Sequence, residues 1–125
     1  MTENPNIRLT IHFNAPDLDL EERDKQAQQL ITELKDLDEV DRVDRIPDPN
    51  PPKDNKTLGG FVIGLLKAEV TIGNGKKVLG FLGDRLGGKP IELAVEANGK
   101  KLSVKAHSRA ELEAAIKAAQ DFIAS

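Results

Sequence analysis

The sequence predicts an α+β fold in which one sheet of about four strands carries helices mainly on one face. Three observations favour this class. Apolar residues alternate with polar ones from Ile7 to Phe13, as in a half-buried strand. Apolar residues recur at helical spacing after Asp19. Asn98-Gly99, the preferred pair of a two-residue hairpin turn, separates two further alternating segments. The predicted order is β-α-β-α-α-β-β-α, in a single domain over residues 1–125.

The first helix is predicted to begin after Asp19 and to run to about Asp38. Aspartate is a preferred helix N-cap, and Glu22 stands where it would complete a capping box. A short strand over residues 40–46 is predicted next, because a strand returning after this helix would bury Val43.

A proline-rich loop, residues 47–56, is followed by a glycine-rich segment, residues 57–88, that holds nine of the chain's ten glycines. This segment is predicted to form a pair of helices. The first spans about 57–68, and the second spans about 75–86 with Asn74 as its cap. Each glycine costs a helix interior about 1 kcal/mol relative to alanine. Their repetition therefore indicates close helix packing or a surface that meets a partner.

The last third predicts a β-hairpin followed by a helix. Its strands cover 91–97 and about 102–106, and Ser108 with Glu111 forms a capping box before the helix. Six apolar residues give this helix its buried face: Leu112, Ala115, Ile116, Ala119, Phe122 and Ile123. The whole arrangement resembles a ferredoxin-like sandwich with an inserted helical pair.

Composition excludes several classes of site. The 125 residues include no cysteine, which rules out disulfides and thiolate metal sites. The longest apolar run has nine residues, whereas a membrane-spanning helix needs about 20. The N-terminus shows no secretory signal, so a cytoplasmic protein is expected. The net charge is -6 over residues 1–56 and +3 over residues 57–125. This split indicates ordinary solvated surface, a charged partner or head-to-tail self-association.

No reaction centre is visible in the sequence. His12 and His107 belong to separate elements without an evident shared partner. The acids between Asp17 and Glu22 suit a helix N-terminus rather than a calcium loop. Lysines cluster near the hairpin, but the chain has no tryptophan or tyrosine to stack on bases. The sequence therefore predicts no catalytic, cofactor or metal site and no nucleic-acid partner, and the protein is not expected to be an enzyme.

An initial alternating strand, an acidic helix, a lysine-containing loop, a glycine-rich helical pair and an Asn-Gly hairpin before a final helix follow one another here. This arrangement resembles the effector-associated constant component family of bacterial conflict systems. Lys56 stands where members tend to carry a lysine, and Phe81 or Leu82 stands where they usually carry a tryptophan. The resemblance implies a small α+β protein that acts as a non-catalytic regulatory or coupling component beside caspase-like or trypsin-like peptidases and their adaptors.

The preferred hypothesis is a cytoplasmic module that binds an effector peptidase or adaptor, with homo-oligomerisation left open. Its contact surface would be the proline-rich loop and the adjacent glycine-rich helices. The candidate partner-binding residues are Lys53, Lys56, Gly60, Phe61, Gly64 and Phe81. The alternative is a small membrane-perturbing or membrane-sensing protein that acts through residues 58–86. A third hypothesis, an enzyme with carboxylates in a cleft, rests on the abundance of acids.

Overall fold

The computed structural model describes residues 6–15, 17–47, 61–97 and 99–124. Within these residues the chain forms five strands and three helices, which confirms the α+β class and adds one strand to the predicted sheet. In chain order they are β1 (Asn6–Phe13), α1 (Leu20–Lys35), β2 (Arg42–Pro47), β3 (Phe61–Thr71), α2 (Ile72–Arg85), β4 (Ile91–Ala97), β5 (Lys100–Ala106) and α3 (Arg109–Ala124).

The strands form a single sheet in the order β2-β3-β1-β4-β5, and every neighbouring pair is antiparallel. β1 lies at the centre, and β2 and β5 lie at the edges. The first six elements follow a β-α-β-β-α-β order, in which β3 is inserted between two parallel strands as in a split β-α-β unit. β5 and α3 extend this unit on the β4 side.

One face of the sheet forms the core. Ile7, Leu9, Ile11 and Phe13 of β1 are at most 1% exposed, and their partners across the strands are also buried. The helices cover this face: α1 packs over β3, and α3 packs against β5 and α2. Burial of these apolar side chains is the main source of stability, at about 25 cal/mol for each Å² of apolar surface removed from water.

Several local predictions are confirmed. The Glu22 N–H donates to Asp19 Oδ1 at 2.8 Å, so Asp19 caps α1, which ends three residues before the predicted Asp38. Val43 is buried, as expected for a return strand. At α3, the Glu111 N–H donates to Ser108 Oγ at 3.1 Å, and the Glu111 carboxylate accepts the His107 N–H at 2.6 Å.

The predicted helix over residues 57–68 is wrong. From Phe61 to Thr71 the chain is the strand β3, which pairs with both β1 and β2. Gly64 has a φ of +74°, which a right-handed helix does not contain. An inserted helical pair is therefore absent from the described residues, because its first member is a strand of the sheet.

The second helix of that prediction exists but begins earlier. α2 starts at Ile72 instead of residue 75, and Thr71 occupies the N-cap position. Asn74 does not act as the cap: its Nδ2 donates to Thr71 Oγ1 at 3.2 Å. The helix ends at Arg85, one residue before the predicted end at residue 86.

Two glycines of α2, Gly75 and Gly83, lie close to the C-terminal helix. A Cβ placed on Gly75 would lie 2.7 Å from the Cδ1 atoms of both Ile7 and Ile123. A Cβ on Gly83 would lie 3.4 Å from Cγ1 of Ile116. Close packing against a helix therefore explains these two glycines. The helix that they approach is α3, because the first helix of the predicted pair is a strand.

Replacing Gly75 with leucine is expected to lower the free energy of unfolding by about 1–3 kcal/mol, because the added side chain overpacks the junction of α2, α3 and β1. Gly73 is the matched control: it lies in the same helix, and no atom lies within 4 Å of its Cβ position. Gly73→Leu is expected to be neutral or stabilising by a few tenths of a kcal/mol through helix propensity. Urea denaturation of both variants measures the difference, and equal effects would contradict this packing role.

Candidate functional site

The face of the sheet opposite the helices, called here the open face, is the candidate functional site. No other described element covers it, and its side chains are half-buried or exposed. The strand register arranges its outward-pointing residues in rows that run across the strands. The charge and size of these rows determine what the face can bind.

The first row alternates in charge across the sheet. Its members, in spatial order, are Arg42, Glu69, Arg8, Glu96 and Lys101. Arg8 lies between two glutamates: its Nη2 is 3.8 Å from Glu69 Oε2, and its Nη1 is 3.5 Å from Glu96 Oε1. Side chains in these pairs are 32–51% exposed, so each pair contributes at most about 1 kcal/mol. The row therefore contributes little to the stability of the fold, and its main property is the alternating charge that it presents on the open face.

The second row begins with the charged residues Asp44 and Lys67 and continues with three small, uncharged side chains. Thr10, Ala94 and Ser103 follow one another across β1, β4 and β5. They are flanked on one side by the charged first row and on the other by a third row: Leu65, His12, Glu92 and Lys105. Beside the longer side chains of the third row, these short side chains leave a depression of about 200 Å³, called here the groove, which no residue of the first row lines.

The groove combines an apolar floor with polar walls. Leu65, Ala94 and the methyl group of Thr10 supply apolar surface, while Glu92 and Lys105 supply opposite charges. The Glu92 carboxylate accepts a 2.5 Å hydrogen bond from Asn14 Nδ2, which restricts its orientation. Such a site suits a short apolar side chain of a partner, with polar contacts around it. A larger opening of about 450 Å³ lies around the first row, where β1 begins.

A buried carboxylate lies on the other side of the sheet. Asp24 of α1 is 1% exposed and forms an ion pair with Arg45 of β2 through Oδ1. The same Oδ1 accepts the Gly64 N–H at 3.2 Å, and Oδ2 accepts Gln28 Nε2 at 3.0 Å. Asp24 therefore joins α1 to β2 and β3, and it lies away from the open face. We assign it a structural role.

A second ion pair joins the helices. Arg85 at the end of α2 binds the Glu33 carboxylate of α1 through two nitrogens, with Nε at 2.9 Å from Oε1. Glu33 raises the pKa of the Arg85 guanidinium, first through this hydrogen bonding and then through its charge. Arginine is already protonated throughout the physiological range, so this pair provides no pH switch.

Among the candidate residues from the sequence, those that the structure describes do not form one exposed surface. Lys53, Lys56 and Gly60 lie outside the described residues, as does the loop from residue 48 to 56. Phe61 begins β3. Gly64 is buried, and its Cβ position lies 2.7 Å from the Phe13 carbonyl oxygen. Phe81 is half-buried on α2, where it packs against the core.

The described residues lack the features that a metal site and a membrane-spanning helix would require. They contain no group of three or more histidine, aspartate or glutamate side chains placed to hold a metal ion. None of their helices combines the length and apolar character that crossing a membrane requires. A comparison of the chain with protein-family models, curated proteins and solved structures finds no match.

The groove residues were not candidates from the sequence. Thr10, Ala94 and Ser103 are ordinary small residues of three strands, and they meet because of the register. One signal was present: each stands at the centre of an alternating segment, flanked two residues away on both sides by polar or charged residues. This pattern places each of the three residues in the middle of the strand face that points away from the core.

Proposed function

We propose that the protein is a non-catalytic regulatory or coupling component of a bacterial conflict system, which acts in the cytoplasm by binding a protein partner through the open face. The observation that carries this proposal is the position of the helices, all on one face of the sheet. The opposite face presents a groove with apolar surface and two side chains of opposite charge, Glu92 and Lys105. The sequence resemblance, in its initial strand, its acidic helix and the Asn-Gly hairpin before the final helix, supports an effector peptidase or its adaptor as the partner.

The chemistry of the open face favours a protein partner. Protein interfaces combine apolar contacts at their centre with a polar rim, and the groove has this arrangement. The open face carries charges of both signs: Arg8 and Glu96 lie in the row on one side of the small uncharged residues, and Glu92 and Lys105 lie in the row on the other side. Such a pattern provides specificity for a partner with a complementary pattern of charges.

The membrane alternative has less support. Its proposed segment, residues 58–86, includes β3 and α2, whose apolar side chains are used in the core. Leu66, Val70, Leu79 and Leu82 are at most 1% exposed. Membrane binding through these residues would require the sheet to open and would lose the stabilisation that their burial provides.

The proposal is tested by placing a large charged side chain in the groove. Ala94→Arg is expected to abolish co-purification with an effector peptidase or adaptor that the wild-type protein retains, because arginine at this position fills the groove. Ala118→Arg on the exposed side of α3 is the matched control and should retain the partner. Both variants are checked for wild-type thermal stability, and partner recovery is measured after co-expression. Equal recovery by the two variants would refute the open face as the contact surface.

A further inference from the structure

The outer edge of β5 is available for strand pairing. β5 pairs with β4 over seven residues, from Ala97↔Lys100 to Ile91↔Ala106, without a shift in register. Within the described part of the chain, no strand pairs with its other side. An edge strand leaves about half of its backbone N–H and C=O groups without a ladder partner. This edge is therefore long and regular enough to receive another strand.

The β4–β5 pair shows which strand chemistry β5 accepts. Glu92 lies opposite Lys105, and Glu96 lies opposite Lys101. Between these charged pairs, Ala94 lies opposite Ser103. On the open face, β5 thus presents a Lys-x-Ser-x-Lys pattern to a Glu-x-Ala-x-Glu pattern. The two lysines stand about 13 Å apart, at about 3.3 Å per residue.

On the side of β5 away from β4, no strand among the described residues places carboxylates opposite these lysines. Lys101, Ser103 and Lys105 are all exposed, and β5 is the last strand on its side of the sheet. Edge lysines also discourage unwanted pairing in many sheets. Here they would oppose a second β5 strand, because directly facing like charges are destabilising. They would favour a strand with carboxylates at the matching positions.

We propose that the β5 edge binds an extended segment of a protein partner by strand addition, and that this segment carries two acidic residues four positions apart with a small residue midway. The proposal deepens the interaction function and rests on it for the existence of a protein partner. Backbone hydrogen bonds would supply affinity, and the two lysines would supply charge selection. The added strand would extend the open face beyond the groove.

The test is a titration of the isotope-labelled full chain with a synthetic peptide that has the β4 sequence, IELAVEA, followed by amide chemical shifts. Saturable shifts are expected in the amides of Lys100–Ala106. A peptide with both glutamates replaced by lysine should bind at least about 10-fold more weakly, since two attractive pairs become repulsive. A peptide N-methylated at alternate residues, on the edge that would face β5, should not bind, because it cannot complete the ladder. Equal binding by either control peptide, or no binding by the first, would overturn the proposal.

Variants of the protein test whether Lys101 and Lys105 are the residues that select an acidic peptide. Lys101→Gln with Lys105→Gln is expected to weaken binding of the β4 peptide about 3- to 10-fold. Lys77→Gln with Lys117→Gln removes the same charge from exposed positions on the helices and should leave binding unchanged. An equal loss in both double variants, or saturation of the edge by a second copy of this chain, would also overturn the proposal. Failure of the peptide tests, with the Ala94→Arg result as expected, would leave the proposed function intact.

Discussion

Replacing Asp24 with alanine is expected to lower the free energy of unfolding by about 3–5 kcal/mol, because it removes one partner of a buried ion pair. The side chain of Arg45 is 16% exposed, so its charge would lose the carboxylate without gaining full hydration. The Gly64 N–H and the Gln28 amide would lose an acceptor as well. Equilibrium urea denaturation at neutral pH measures the change.

Asp121→Ala is the matched control for this substitution. Asp121 is an exposed aspartate on α3, and its removal is expected to change stability by less than about 0.5 kcal/mol. A change of less than 1 kcal/mol for Asp24→Ala would show that the buried carboxylate does not organise α1 and the adjacent strands. The loss of a helix cap cannot account for the expected effect, because Asp19 caps α1.

Replacing Gly64 with alanine is expected to lower the free energy of unfolding by about 2 kcal/mol or more. A residue with a side chain costs about 1–2 kcal/mol in the left-handed region, where the φ of Gly64 is +74°. In addition, the new Cβ would lie 2.7 Å from the Phe13 carbonyl oxygen, which is a backbone atom of the central strand. Relief of this contact requires β3 to move away from β1.

Gly88 separates these two causes. It has a φ of +88°, but no atom lies within 4 Å of its Cβ position. Gly88→Ala therefore carries the conformational cost without the steric one. Thermal or urea unfolding should rank Gly64→Ala as the more destabilising of the two by at least about 1 kcal/mol. The reverse ranking would mean that the close approach of β3 to β1 relaxes without cost.

The sequence predicts most of the elements because their signals are local. Alternation at β1, β4 and β5 and capping residues at α1 and α3 each involve a few neighbouring residues. The failure at β3 has a physical reason. Leu65 points to the open face although it is apolar, and it follows the apolar residues Val62 and Ile63, so the first half of β3 shows no alternation. Strict alternation begins at Leu66 and continues to Thr71, as LKAEVT.

The candidate site depends on information that the sequence does not display. The groove exists because Thr10, Ala94 and Ser103 share one row, and a shift of one residue in either strand pairing would place different side chains together. The glycine content indicates close packing as one explanation, but it does not indicate which element lies next to the glycines. The sequence leaves open whether the glycines serve close packing or a partner surface, and the contact of Gly75 with α3 follows from the fold.

The central position of β1 has a consequence for how the chain folds during synthesis. β1 emerges from the ribosome before the other described strands, but its two neighbours, β3 and β4, lie more than 45 and 75 residues further along the chain. Its apolar side chains therefore stay without their strand neighbours until β3 and β4 have been made. Contacts of such long sequence separation slow folding, and exposed apolar strands are prone to aggregate in the meantime. The β4–β5 hairpin, which needs the fewest intervening residues, is the part of the sheet that can form locally once it emerges.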